Sequence, residues 1–127
     1  MVNTKAFISA LTERVNRIVT TYYEEAPSRG TEYPYAVING INIITLEESG
    51  DMTSFYIDVW GDEKDPDTTE KLETLCDAMR NELEGEVICA ADTFGAHIGF
   101  ENQNSLIDGE YDLAHRKLSL SARIFYL

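Results

Sequence analysis

Basic residues are few in this chain of 127 amino acids: 10 Lys and Arg stand against 23 Asp and Glu, giving a formal net charge of −13 and a sequence pI near 4.3. Nucleic-acid affinity rests mainly on cations that displace counterions from phosphates, and here they are both scarce and scattered. Specific nucleic-acid binding is therefore not expected, and an anionic membrane surface is disfavoured on the same ground. An acidic chain can still serve near DNA, as a decoy that imitates it or as a wall past which it slides. No apolar run approaches the roughly 18 residues of a membrane span. The opening stretch MVNTKAFISALTERV has no apolar core and carries Glu13, so it does not read as a secretory signal.

Residues with ready chemistry are equally sparse. The two histidines, His97 and His115, fall on expected strands with no second histidine or cysteine at ligand spacing. Cys76 lies on the apolar stripe of an expected helix and Cys89 in an apolar strand-like run. They read as two buried thiols of a reduced protein. No serine occupies a nucleophile elbow, and the glycines form no phosphate-binding loop. Gly95 and Gly99 have the spacing of a membrane-helix packing pair but lie outside any apolar helix. Asp62, Glu63, Asp65 and Asp67 crowd one loop. Calcium would suit several carboxylates, but the EF-hand pattern is absent and Pro66 breaks the spacing, so a solvated loop leading into a helix is the plainer reading. No catalytic residue, cofactor or metal is expected. Trp60 ends a strand beside this loop; core or partial burial is the plainer reading, and an interface anchor of the kind tryptophan supplies is the sharper one.

What is present is an ordinary globular composition, 43% hydrophobic and 26% charged. It is read as one domain spanning 1–127. A chain of this length buries about two-thirds of its unfolded surface and needs no staple. Phe7, Leu11, Val15, Ile18 and Tyr22 recur at helical spacing, so a helix is expected from 4 to about 24, capped by Asn3 or Thr4 and with Arg14 and Arg17 on its polar face. Residues 34–46 read as strand, with Asn39-Gly40 either a hairpin turn or a glycine bulge. Residues 53–60 alternate, with Phe55, Ile57 and Val59 on one face and Tyr56, Asp58 and Trp60 on the other. A second helix is expected over 67–84, with Asp67 and Glu70 as a capping box, Leu72, Leu75, Cys76, Met79 and Leu83 buried, and Gly85 as its stop. Two short strands follow at 86–91 and 93–100, then a polar loop over 101–110. Residues 113–127 alternate most clearly, with Leu118, Leu120, Ala122, Ile124 and Tyr126 facing one way and Lys117, Ser119, Ser121 and Arg123 the other. The expected class is α+β, with two amphipathic helices packed on one face of a mostly antiparallel sheet.

This order of elements, with Tyr33-Pro34-Tyr35-Ala36-Val37 entering the first long strand and Tyr56-Ile57-Asp58-Val59-Trp60 preceding the acidic loop, resembles the tail-terminator or tail-completion proteins of long-tailed bacteriophages and prophages. The resemblance covers nearly the whole chain. It implies a non-enzymatic virion assembly protein, made in the bacterial host cytoplasm and resident at the head-proximal end of the tail. Six copies would form a homo-hexameric ring that caps the tail tube, ends its growth and enables head-tail joining. The implied partners are further copies of itself, the tail tube protein and head-side connector or neck proteins. DNA passes through such a ring, and an acidic wall would not hold phosphates. Loops at strand ends can reach a neighbour without disturbing the core, so Glu47, Glu48, Asp51, Trp60, Asp62, Glu63 and Asp65 are the candidate interface residues. Two other classes compete: an acidic DNA mimic, and a small ligand-binding or enzymatic α+β module. Dispersed rather than striped carboxylates weigh against the first. The absence of a convergent His/Asp/Ser or glycine-loop constellation weighs against the second.

Overall fold

The computed structural model describes residues 2–46, 50–90, 92–108 and 113–127. In chain order the elements are α1 (Thr4–Asn16), β1 (Thr21–Tyr23), β2 (Tyr35–Leu46), β3 (Gly50–Asp62), α2 (Thr68–Leu83), β4 (Val87–Ala90), β5 (Phe94–Asp108) and β6 (Leu113–Tyr126). The six strands form one sheet in the order β1-β2-β3-β6-β5-β4. The fold is therefore α+β, as expected, but the sheet is mixed rather than mostly antiparallel. β1 runs parallel to β2, while the β2–β3, β3–β6, β6–β5 and β5–β4 ladders are antiparallel.

The parallel pair arises because the first helix stops well short of residue 24. Asn3 caps its start by accepting from the Ala6 N–H at 3.1 Å. At the other end the Asn16 side chain accepts from the Thr21 N–H at 2.9 Å, which turns the chain out of the helix. Val19 through Tyr23 are all β-branched or aromatic, types that favour a pleated surface over a helix. The backbone then joins β2 through Ala36 N–H to Thr20 O and Glu24 N–H to Ile38 O.

Three further readings are decided by the tertiary structure. Asn39-Gly40 is a bulge, since β2 runs on through it with a register shift between Asn39 and Asn42. Gly40 sits at φ +70°, and a Cβ there would lie 2.5 Å from Cδ2 of Tyr56. The expected polar loop at 101–108 is strand instead, paired with β6 from Asn102↔Ser119 to Asp108↔Leu113; residues 109 and 110 lie outside the described residues. β4 covers only Phe94–His97, so the later part of β5 is an edge, and edges tolerate the polar composition that hid this strand. Asp67 occupies the N-cap of α2 without a side-chain cap bond. Asp65 takes over the local bonding, accepting from the Asp67 N–H at 2.9 Å and from Lys71 Nζ at 2.5 Å.

The core joins the buried stripes of both helices to alternate residues of the sheet. Phe7 of α1 meets Phe55 of β3 and Phe94 of β5 edge-to-face, with centroids 6.4 and 6.0 Å apart. Leu11, Val15, Leu72, Met79, Leu120 and Ile124 are buried in the same cluster, while Leu75 is half-buried at its margin. Each fully buried side chain of this size contributes about 1.5–3 kcal/mol. Arg116, almost fully buried on β6, donates through Nε to Glu73 of α2 at 2.5 Å, and Arg14 of α1 bonds Glu82 of α2 at 3.2 Å. Cys76 is buried as expected. Cys89 is exposed, because on the short outer strand β4 its side chain alternates with that of buried Ile88.

Candidate functional site

Alternation along β3 and β6 sends one set of side chains into the core and the other to the opposite face. On that opposite face, register pairs Asp58 with Lys117, Trp60 with His115 and Tyr56 with Ser119. The result is a compact polar and aromatic array. Asp58 is only 7% exposed and accepts from Asn39 Nδ2 at 2.6 Å. His115 Nε2 lies 2.5 Å from its other oxygen and Lys117 Nζ 3.9 Å from that same oxygen. The His115 ring stacks on Trp60, centroids 3.8 Å apart and planes at 10°. Lys117 also sits over the Tyr56 ring at 4.5 Å. Burial favours the neutral form of the Asp58 carboxyl, but hydrogen bonds from His115 and Asn39, aided by the nearby charges, outweigh it and hold the group below the usual carboxylate range. Beside the array a groove of about 320 Å³ is lined by Glu24, Pro27, Tyr35, Val37 and Trp60 among others.

The array satisfies its own polar groups. Asp58 is engaged by Asn39, His115 and Lys117, so the geometry orients and stiffens the outer face of the sheet. Among the described residues no cluster of three or more His, Cys, Asp or Glu could hold a metal ion. Burial first, then the nearby carboxylate of Glu73, pushes the Cys76 thiol up to about 12, which leaves it an unreactive core group. Among the described residues no helix is long and apolar enough to cross a membrane.

The structure separates the candidate interface residues into two groups. Trp60, Asp62, Glu63 and Asp65 gather at the end of β3 and the turn into α2, where the Asp62 carboxylate accepts from the Lys64 N–H at 3.0 Å. Asp51 stands at the opposite end of the same strand, about 35 Å away at the usual rise per residue. It is buried and accepts from the Tyr126 hydroxyl at 2.7 Å. Glu47 and Glu48 lie outside the described residues. The reading by sequence missed the Asp58–His115 pair. Alternation had put Asp58 and Trp60 on one face, yet nothing local could tell that β6, rather than another strand, would lie beside β3.

The fold and its outer-face array define a small α+β domain with one six-stranded sheet. More narrowly, the family described as "Tail completion protein gp17" matches residues 5–124, and the chain belongs to that family. The resemblance carried by the order of elements around Tyr33–Val37 and Tyr56–Trp60 is thereby borne out. In fold the chain is similar to one in a solved structure titled "Virion of native gene transfer agent (GTA) particle", with a TM-score of 0.71, 12% identity, and coverage of 91% of this chain and 92% of that one. No curated protein matches it in sequence.

Proposed function

We propose that this tail-completion protein works as a subunit of a homo-hexameric ring. The ring seats on the head-proximal end of the tail tube, ends tube growth and presents its far side to the head connector. It acts by assembly alone, without catalysis. The observation that carries the reading is the family match over nearly the whole chain. The likeness to a chain of a gene transfer agent virion supports it at the level of fold. Trp60, Asp62, Glu63 and Asp65, at the end of β3 and the turn into α2, form a contact region for neighbouring tail proteins, whereas Asp51 is buried against Tyr126.

The net charge of −13 opposes association. Its reach shrinks to about 8 Å at physiological ionic strength, and an interface of about 800 Å² per partner can then prevail. The dilute subunit is therefore monomeric at low salt, and rings grow with concentration, salt, Mg²⁺ or contact with a tube end. Light scattering across such a series, with electron microscopy of tubes mixed with the protein, tests this. A constant monomer mass together with uncapped tubes refutes it.

A further inference from the structure

Both long edges of the sheet are left half open. β1 is three residues long and pairs with β2 only at Ala36, Val37 and Ile38. β4 is four residues long and pairs with β5 only from Phe94 to His97, extended by Ile98 N–H to Glu86 O and Gly85 N–H to Ile98 O. Among the described residues, no other element hydrogen-bonds the outward backbone of β2 over 41–46 or of β5 over 99–108. Natural sheets protect such edges with lysine, proline, bulges or covering segments. Past the Asn39–Asn42 bulge, β2 reads Ile-Asn-Ile-Ile-Thr-Leu, with no charge, no proline and no glycine. Ile44 is 54% exposed beside Met52, itself 42% exposed. An unguarded edge of this composition is a strand-addition site.

Resting on the ring reading, we infer that these two edges are the subunit joint: β2 over 41–46 of one copy pairs with β5 over 99–108 of the next. Three features of the fold select this occupant. First, the successive antiparallel ladders give β2 and β5 opposite directions, so placing copies side by side without inverting either makes the new ladder antiparallel too. Second, pairing β5 with another β5 would bring together two strands that each carry Glu101 and Asp108 in sequence, whereas β2 offers an uncharged partner. Third, the open stretches sit at opposite ends of the sheet. β2 past its bulge aligns through β3 with β6 around Ser121 to Ile124, and β5 aligns with β6 from Ser121 back to Leu113. The stagger is about six residues, or ~20 Å, across four strand spacings of ~19 Å in all. That slope corresponds to a tilt of about 45°, within the range at which staggered strands close into a ring.

Hydrogen-exchange mass spectrometry on the full chain tests the joint, comparing dilute monomer with the assembled or tube-bound form. Amides of 41–46 and 99–108 are expected to slow roughly 100-fold on assembly, while those of 55–59 in β3 stay as they were. Rings whose two stretches exchange as in the monomer would overturn the joint and leave the ring reading intact. Protection of 41–46 alone would mean that β2 pairs with β2, which overturns β5 as the occupant. Absence of any ring, free or on tubes, would bring down both readings. A second arm compares Ile44→Pro with Thr45→Pro. Of two successive strand amides one points outward, so the variant that keeps the wild-type monomer Tm has lost only an edge donor. That variant should need roughly 10-fold more protein to assemble; wild-type assembly by it would contradict the joint.

Discussion

Asp58 offers the sharpest test of the outer-face array, because its environment sets both the size and the pH dependence of its contribution. Replacing it with alanine removes the acceptor of the 2.6 Å bond from Asn39 and the partner of His115 at 2.5 Å. A buried donor left without an acceptor costs about 1–3 kcal/mol. His115 is buried and Asn39 half-buried, so Asp58→Ala should lose about 3 kcal/mol, lowering Tm by roughly 10 °C for a domain of this size. Asp58→Asn keeps the shape and one acceptor oxygen but not the charge, and should lose about 1–2 kcal/mol.

The pH dependence has a definite sign. The Asp58 carboxyl is held below its ordinary value of 3.8 in the folded chain. Its contribution is complete above that ordinary value and is lost as pH falls through the lower folded value. The Asp58 part of the gap between wild type and Asp58→Asn should therefore be complete at about pH 5 and shrink below 3.8. Urea unfolding followed by circular dichroism at pH 7, 5 and 2.5 measures it. A gap that persists unchanged at pH 2.5, or an Asp58→Ala loss under about 0.5 kcal/mol, would refute the account of the array.

Further outcomes follow from other parts of the molecule. Gly50 sits at φ +86°, and a Cβ there would fall 2.0 Å from the Ile124 carbonyl oxygen, so Gly50→Ala should cost about 3 kcal/mol or more, read by thermal unfolding. Cys89 should react with a thiol reagent in the native protein at pH 8, whereas Cys76, buried with its thiol raised to about 12, should react only after unfolding; mass spectrometry counts the labels. Glu73→Ala removes the carboxylate facing the buried Arg116 guanidinium, which keeps its neutral acceptor at the His115 carbonyl, and should cost about 2–4 kcal/mol, while Arg116→Met at the same contact should cost less, because it removes the buried charge as well. His97→Ala, at an exposed strand position, should stay within about 0.5 kcal/mol of wild type in the same unfolding assay.

Sequence alone settled whatever depends on neighbours along the chain. The helical spacing of Phe7, Leu11 and Val15 and of Leu72, Cys76, Met79 and Leu83 identified the buried stripes, because 3.6 residues per turn returns those side chains to one face. Period-two alternation identified the inward residues of β3 and β6. The order of these elements carried the family resemblance, and the lack of reactive constellations argued for assembly rather than catalysis. What the sequence could not decide is partnership between distant segments. Val19–Tyr23 fits a helix by spacing and a strand by side-chain type, and only the open backbone of β2 beside it made the strand win. Residues 101–108 carry no apolar alternation, and their backbone pairing with β6, a long-range contact, is what makes them a strand. The Asp58–His115–Trp60 array follows from the register of β3 against β6. Register is a long-range choice, made when inward faces must align over a single core, and a shift of one residue would have turned every one of those side chains to the other side.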